Sequence, residues 1–328
     1  MAPKPVKLAL RRALREIRHV RPVPAGRATG LVRDVYRQLE RDFGMLAPPV
    51  ALHSPSPPTL AASWLMLRES LVTAGATSRA DREVVASLVS QANSCPYCVE
   101  VHGMALSSLG RSEAAEAIGS GREVEDPRDA AGLSPAASAE LTAVAFTFHY
   151  LNRVVSVFLG PSPLPSAVPD SARERAKSVL GRFLKPVEDA LPGASLALLP
   201  AGSRDFSWAA GSPVVKEAFS RAESAFASLA ISPVVRDVVG RELSSWDGSA
   251  PGLSRSWVEA SVCDVSDGEV AAARLALVVA KAPYQADEAL VAAARLGDRE
   301  LVELVSWSSF VAAQKCVTGR VSGDDGSG

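Results

Sequence analysis

Two cysteines, one histidine and one glutamate fall within twenty residues of a chain that has only four cysteines and four histidines in 328. Cys95, Cys98 and His102 lie in "SQANSCPYCVEVHG", and Glu83 stands twelve positions before Cys95. A vicinal thiol pair can cycle between dithiol and disulfide. A histidine beside it can take or return a proton near neutral pH, and a carboxylate can orient that histidine. The same residues could instead be half of a zinc site, with a fourth ligand from His149, Cys263 or an acid. The chain offers no second ligand pair at a fingerprint spacing. A chance cluster of buried side chains is the remaining reading.

The elements that must position these groups are helical. Pro96 suits the first position of a helix, where its missing N–H costs nothing. That puts Cys95 at the cap and Cys98 in the first turn, where free backbone N–H groups and the helix dipole favour a thiolate. Three residues apart across a helix start, two sulfurs can approach to bonding distance. His102, four residues after Cys98, falls on the same face one turn on. Glu83 belongs to the preceding segment, "SRADREVVASLVSQAN", which Thr77 or Ser78 can cap. A helix–turn–helix hairpin would bring its carboxylate back towards His102.

Composition agrees with an all-α chain. Apolar residues make up 47%, mostly Ala, Val and Leu, while aromatics are 5%, and nowhere does a regular strand–turn–strand alternation occur. A net charge of −1 gives no general reason to expect a nucleic acid or an anionic membrane as partner. Cysteine usage suits a reducing, cytoplasmic setting. The basic N-terminus, "MAPKPVKLALRRALREIRHV", is expected to be an ordinary amphipathic helix. The longest apolar run, from Leu141 to Gly160, carries His149, Asn152 and Arg153 at its centre, so a buried helix is expected rather than a membrane span. His149 is expected to be a satisfied core histidine, and Cys263 and Cys316 small buried hydrophobes.

The chain divides into an N-terminal extension with a Pro-rich linker (1–58), a helical unit with the cysteine site (59–160), a linker (161–170), a second helical unit (171–320) and a disordered tail (321–328). The two units look related. "DREVVASLVSQANSCPYCVEVHGMALSSLG" and "DGEVAAARLALVVAKAPYQADEALVAAARLG" share Asp-x-Glu-Val, Pro-Tyr and a terminal Leu-Gly in near register. The second copy has Ala282 and Gln285 at the cysteine positions and Ala289 at the histidine position, so only the first can do thiol chemistry.

Glu83, Cys95-Pro96-Tyr97-Cys98 and His102, at this spacing, resemble the alkylhydroperoxidase (AhpD-like) and carboxymuconolactone decarboxylase superfamily, in its peroxidase-related branch. The family pattern is a Glu, then Cys-x-x-Cys twelve residues on, then a His four after the second cysteine. The resemblance is specific over about 61–110. It implies an all-helical, oligomeric protein in which the helical unit is often duplicated. It also implies a cysteine pair that reduces hydroperoxides and is recharged by a dithiol such as a lipoyl group. The decarboxylase members lack the cysteine pair. This chain is much longer than the best-studied members, and Tyr97 stands where some have a histidine. "CPYC" is similar to the glutaredoxin site too, but that fold needs a strand before the motif.

The expectation is therefore an all-α thiol-dependent hydroperoxide reductase. Cys98 attacks, Cys95 resolves, and His102 and Glu83 move protons. An external dithiol restores the pair, and no metal or organic cofactor is required. The protein would be a homo-oligomer without a nucleic-acid or membrane partner. A different class also fits: a redox sensor whose dithiol controls a helical interface, which would account for the large cysteine-free half.

Overall fold

Ala- and Leu-rich segments punctuated by Pro, Gly and Ser fold as helices along the chain. The computed structural model describes residues 14–164, 168–183 and 190–324, and no strand occurs among them. The first half holds α1 (Gly30–Asp42), α2 (Pro48–Ala51), α3 (Pro57–Leu67), α4 (Arg79–Ala92), α5 (Pro96–Ser108), α6 (Ser112–Gly119) and α7 (Pro135–Phe158). The second holds α8 (Asp170–Phe183), α9 (Pro213–Ala227), α10 (Pro233–Ser244), α11 (Ser256–Ser261), α12 (Val270–Lys281), α13 (Glu288–Ala293) and α14 (Asp298–Asp324). Proline sits in the first turn of α2, α3, α5, α7, α9 and α10, where its fixed φ suits helix initiation. The first thirteen residues of the basic N-terminus, and the tail beyond Asp324, lie outside the described residues; of the described ones, 321–324, expected in a disordered tail, continue α14, and 14–20, expected in an amphipathic helix, form only a 3-10 turn at Leu14–Glu16.

One apolar core runs from Val20 to Val317. Its spine is α7, which packs on α4 on one side and on α14 on the other. Helix α7 is long and apolar enough to cross a bilayer by length and composition, but 83% of its most apolar window is buried inside the protein. The few aromatics concentrate where the halves meet. Phe146 of α7 packs against Phe219 of α9 and Phe310 of α14, each with ring centroids 5.1 Å apart. Each such ring, fully buried, contributes about 1.5–3 kcal/mol.

The duplication is visible in the packing. Helix α4 lies on α7 as α12 lies on α14; α7 meets α14, and α3 meets α9. The copies diverge at the Pro-Tyr step. Pro96 opens the thirteen-residue α5, whereas Pro283 opens a single 3-10 turn, Pro283–Gln285. Asp287 then caps the short α13, accepting from the Leu290 N–H at 2.8 Å. The second copy thus lacks both the thiols and the long helix that would present them.

Two buried ion clusters hold the elements around the cysteine helix. Arg82 of α4 donates to Glu140 of α7 at 2.8 Å, to Thr77 Oγ1 at 2.7 Å and to the Thr73 carbonyl at 2.5 Å. Glu140 also accepts from the backbone N–H groups of Ala76 and Thr77. Gly75 passes so close that a Cβ there would lie 2.2 Å from Arg82 Nη2, so no other residue fits without moving the pair. In the second cluster, Arg68 joins Asp42 of α1 at 2.7 Å and Glu69 at 2.5 Å. Glu69 in turn accepts from Gly193 N and Ser195 Oγ. This fixes the segment after α1 over the first unit.

Candidate active site

Cys95 occupies the cap of α5, Pro96 its first position and Cys98 its first turn. The preceding helix α4 is itself capped by Ser78, whose Oγ accepts from Asp81 N at 3.1 Å. It ends at Ala92, and Ser94, at φ 53, turns the chain directly into Cys95. The two helices therefore lie side by side, and Glu83 on α4 comes back to His102 on α5 with Oε2 2.6 Å from Nδ1. Both are nearly inaccessible, Glu83 at 1% and His102 at 7%.

The electrostatics of this pair follow from what surrounds it. Burial pushes the Glu83 carboxyl up, but the Arg79 guanidinium, 2.7 Å away, and His102 outweigh it and hold the carboxyl down at about 2. An anionic Glu83 accepts the Nδ1 proton of His102 and leaves Nε2 as the basic nitrogen. Phe148 packs nearly perpendicular to the imidazole, with centroids 4.4 Å apart.

The two cysteines are free thiols, both buried. The neighbouring Cys98 lowers the Cys95 thiol against the effect of burial, and Asn152 and Ser156 add to this. Burial pushes Cys98 well up, and the neighbouring Cys95 adds to this. Ionisation therefore belongs to both sulfurs together, with Cys95 the more acidic of the two. Access divides them the other way. Cys98 and His102 line a cavity of about 90 Å³ that Cys95 does not reach. Its remaining wall is apolar apart from the Tyr97 phenol, which burial keeps protonated. Phe43 and Met45 after α1, Pro163, and Leu180 of α8 close it from outside the first helical unit.

Glu83, Cys95, Cys98 and His102, named from spacing, are thus brought to one place. His149 accepts at Nδ1 from Asn93 Nδ2, 3.2 Å away. Cys263 is a correction: it is exposed, not buried, because it falls in the turn after α11. Cys316 is half-buried, 3.6 Å from an Arg153 nitrogen. Sequence reasoning missed Arg79, although its i,i+4 spacing to Glu83 was readable. It also missed Asn152, Ser90 and Phe148, which carry no motif. Among the described residues, no group of three or more His, Cys, Asp or Glu side chains could hold a metal ion. The glutaredoxin likeness fails on context, since a helix and not a strand precedes the motif.

The carboxymuconolactone decarboxylase family profile matches residues 58–147, from the start of α3 to the middle of α7. No solved structure matches the chain. An alkyl hydroperoxide reductase of Mycobacterium tuberculosis (strain H37Rv) is 31% identical over 325 residues, covering 92% of this chain and 94% of that protein. A likeness of that extent, with the all-helical fold and the family match over the cysteine unit, leads to one assignment: the chain belongs to the carboxymuconolactone decarboxylase family.

Proposed function

We propose that the protein is a thiol-dependent hydroperoxide reductase whose working groups are Cys98, Cys95, His102 and Glu83. The observation that carries this reading is the meeting of Cys98 and His102 in the wall of one apolar cavity, with Glu83 bonded to His102 behind it. The name of the Mycobacterium tuberculosis relative, an alkyl hydroperoxide reductase, supports the same reaction class.

In this account a hydroperoxide enters with its organic group against Phe43, Met45 and Leu180. The proton of Cys98 leaves, to Cys95 or across the cavity to His102 Nε2. The Cys98 sulfur then bonds to the outer peroxide oxygen as the O–O bond breaks. The leaving alkoxide takes a proton and departs as the alcohol, and Cys98 becomes a sulfenic acid. Cys95, directly behind, attacks that sulfur; a disulfide forms and the hydroxyl leaves as water. The sum is two thiols and one hydroperoxide giving one disulfide, one alcohol and one water. Anionic Glu83 keeps the imidazole oriented through both proton transfers. An external dithiol of the lipoyl type or a small thiol then reduces the disulfide.

The cavity of about 90 Å³ is smaller than the roughly 150 Å³ that accommodates benzene, which favours hydroperoxides with compact apolar groups. The test is steady-state consumption of tert-butyl hydroperoxide with dihydrolipoamide as reductant. Turnover that disappears in Cys98→Ser and in Cys95→Ser is the expected result. Equal turnover in both variants and the wild type would overturn the reading.

A further inference from the structure

Arg79 opens α4, and its charge there works against the helix that it starts. Cations are disfavoured at a helix N-terminus, and Arg82, three residues on, adds a second cation to the same face. Ser78 and Asp81 are the ordinary residues of such a start, one as the cap and the other as the acid of the first turn. What Arg79 does instead is grip Glu83. Its Nε and Nη2 both lie 2.7 Å from Glu83 Oε1, and Oε2 is left to His102 Nδ1 at 2.6 Å. The charge of Arg82 goes elsewhere, to Glu140, and Asp81 is taken by Ser78 and Arg111. An exposed i,i+4 pair would serve the helix alone and contribute little. This pair is buried, with side chains 13% and 1% exposed, and it continues into a third side chain.

The three side chains form a row with a definite charge count. Cationic Arg79 and anionic Glu83 cancel, so a neutral His102 completes a buried unit of zero charge. The imidazole can then take a proton and release it without leaving an unpaired anion behind. Remove the guanidinium, and the imidazolium becomes the only counter-ion within reach of Glu83. A buried carboxylate with no other partner holds that proton by coulombic attraction, and the two groups titrate as one unit with a higher midpoint. We propose that Arg79 is a positioning residue for the reaction: by neutralising Glu83 from behind, it frees His102 to accept and return protons instead of serving as the counter-ion of the carboxylate. Its catalytic meaning rests on the peroxidase reading; its hold on the proton of the Glu83–His102 pair does not.

The titratable and charged groups that face His102 are Glu83, with Arg79 behind it, from α4, and Cys98 and Tyr97 from α5. Helices α7 and α8 and the segment after α1 turn Phe148, Leu180 and Met45 to the cavity. The test changes Arg79 alone. The His102 ring is titrated by NMR in the reduced full-length protein, its signal assigned among the four histidines by its loss in His102→Asn. In Arg79→Gln, which keeps hydrogen-bonding atoms and loses the charge, the midpoint rises by about one pH unit or more. Arg79→Lys, which keeps the charge and loses the forked pair of donors, gives a smaller rise. The acid limb of kcat/KM for tert-butyl hydroperoxide moves up with the ring midpoint. Arg79→Gln therefore loses about tenfold below that limb and recovers at higher pH. A purely structural defect lowers the rate alike at every pH and moves neither midpoint.

An unshifted ring midpoint in folded Arg79→Gln overturns the proposal. If that variant does not fold, an unshifted midpoint in Arg79→Lys overturns it. A raised midpoint in the variants of a protein whose wild type turns over no peroxide would sink the peroxidase reading and leave the proton role standing. Peroxide turnover with an unshifted midpoint would do the reverse.

Discussion

His102 Nδ1 lies 2.6 Å from Glu83 Oε2, at the end of a hairpin that folds nineteen residues of sequence back on themselves. The other carboxylate oxygen is bound by Arg79 at 2.7 Å. A buried carboxylate held from both sides is fixed as an anion, and the imidazole is fixed with its basic nitrogen turned away from it.

That relationship predicts a definite pH dependence of stability. The folded Glu83 carboxyl ionises at about 2 against a reference of 4.5. Its stabilisation is therefore complete above about pH 4.5 and is lost as the pH falls towards 2. Glu83→Gln should melt below the wild type at pH 7, and the gap should close as the pH falls to about 2. Calorimetric melting across this range checks it; a constant gap would contradict it. Peroxide turnover by the same variant should fall by roughly a hundredfold or more, as for a lost proton-transfer partner.

The Arg82–Glu140 pair anchors the loop that starts α4, so its loss should be structural. Arg82 is 2% exposed, and Glu140→Gln leaves its charge buried without a counter-ion. A destabilisation of about 3–5 kcal/mol is expected, read from the urea midpoint. A change below about 1 kcal/mol would show that the loop does not depend on this pair.

The cavity wall predicts selectivity. Phe43 and Met45 line it beside Cys98. Phe43→Ala and Met45→Ala should raise kcat/KM for cumene hydroperoxide relative to tert-butyl hydroperoxide by several-fold. An unchanged ratio in both would mean that the substrate's organic group lies elsewhere.

Much of the site was legible because three of its four groups are of rare residue types, all four fall within twenty positions, and one hairpin joins them. Pro96 and Ser78 gave the helix starts in plain terms, and the repeat was readable from Pro-Tyr and Leu-Gly recurring in register. What stayed hidden depends on distance along the chain. Asn152 meets Asn93 and Ser90 only because α7 packs on α4 some sixty residues later. An asparagine in an apolar run carries no signal of what it faces. Phe43 and Met45 sit in a segment that looked like an appended extension, and it is held against the cysteine unit by the buried Asp42–Arg68 pair and by Val35 and Leu39 of α1, which join the main core. The shortening of the second copy was written in Asp287, a helix cap placed where the first copy has Glu100, but composition alone did not give it weight.

The central claim is that Cys98 takes the peroxide oxygen and Cys95 closes the disulfide. The direct measurement mixes reduced protein with one equivalent of tert-butyl hydroperoxide and follows it by mass spectrometry. The account predicts one tert-butanol per chain, the loss of two hydrogens and a Cys95–Cys98 disulfide. It also predicts a dimedone-trapped sulfenic acid on Cys98 when Cys95 is serine. Peroxide left intact beside two free thiols, or consumption at the wild-type rate by Cys98→Ser, would contradict it.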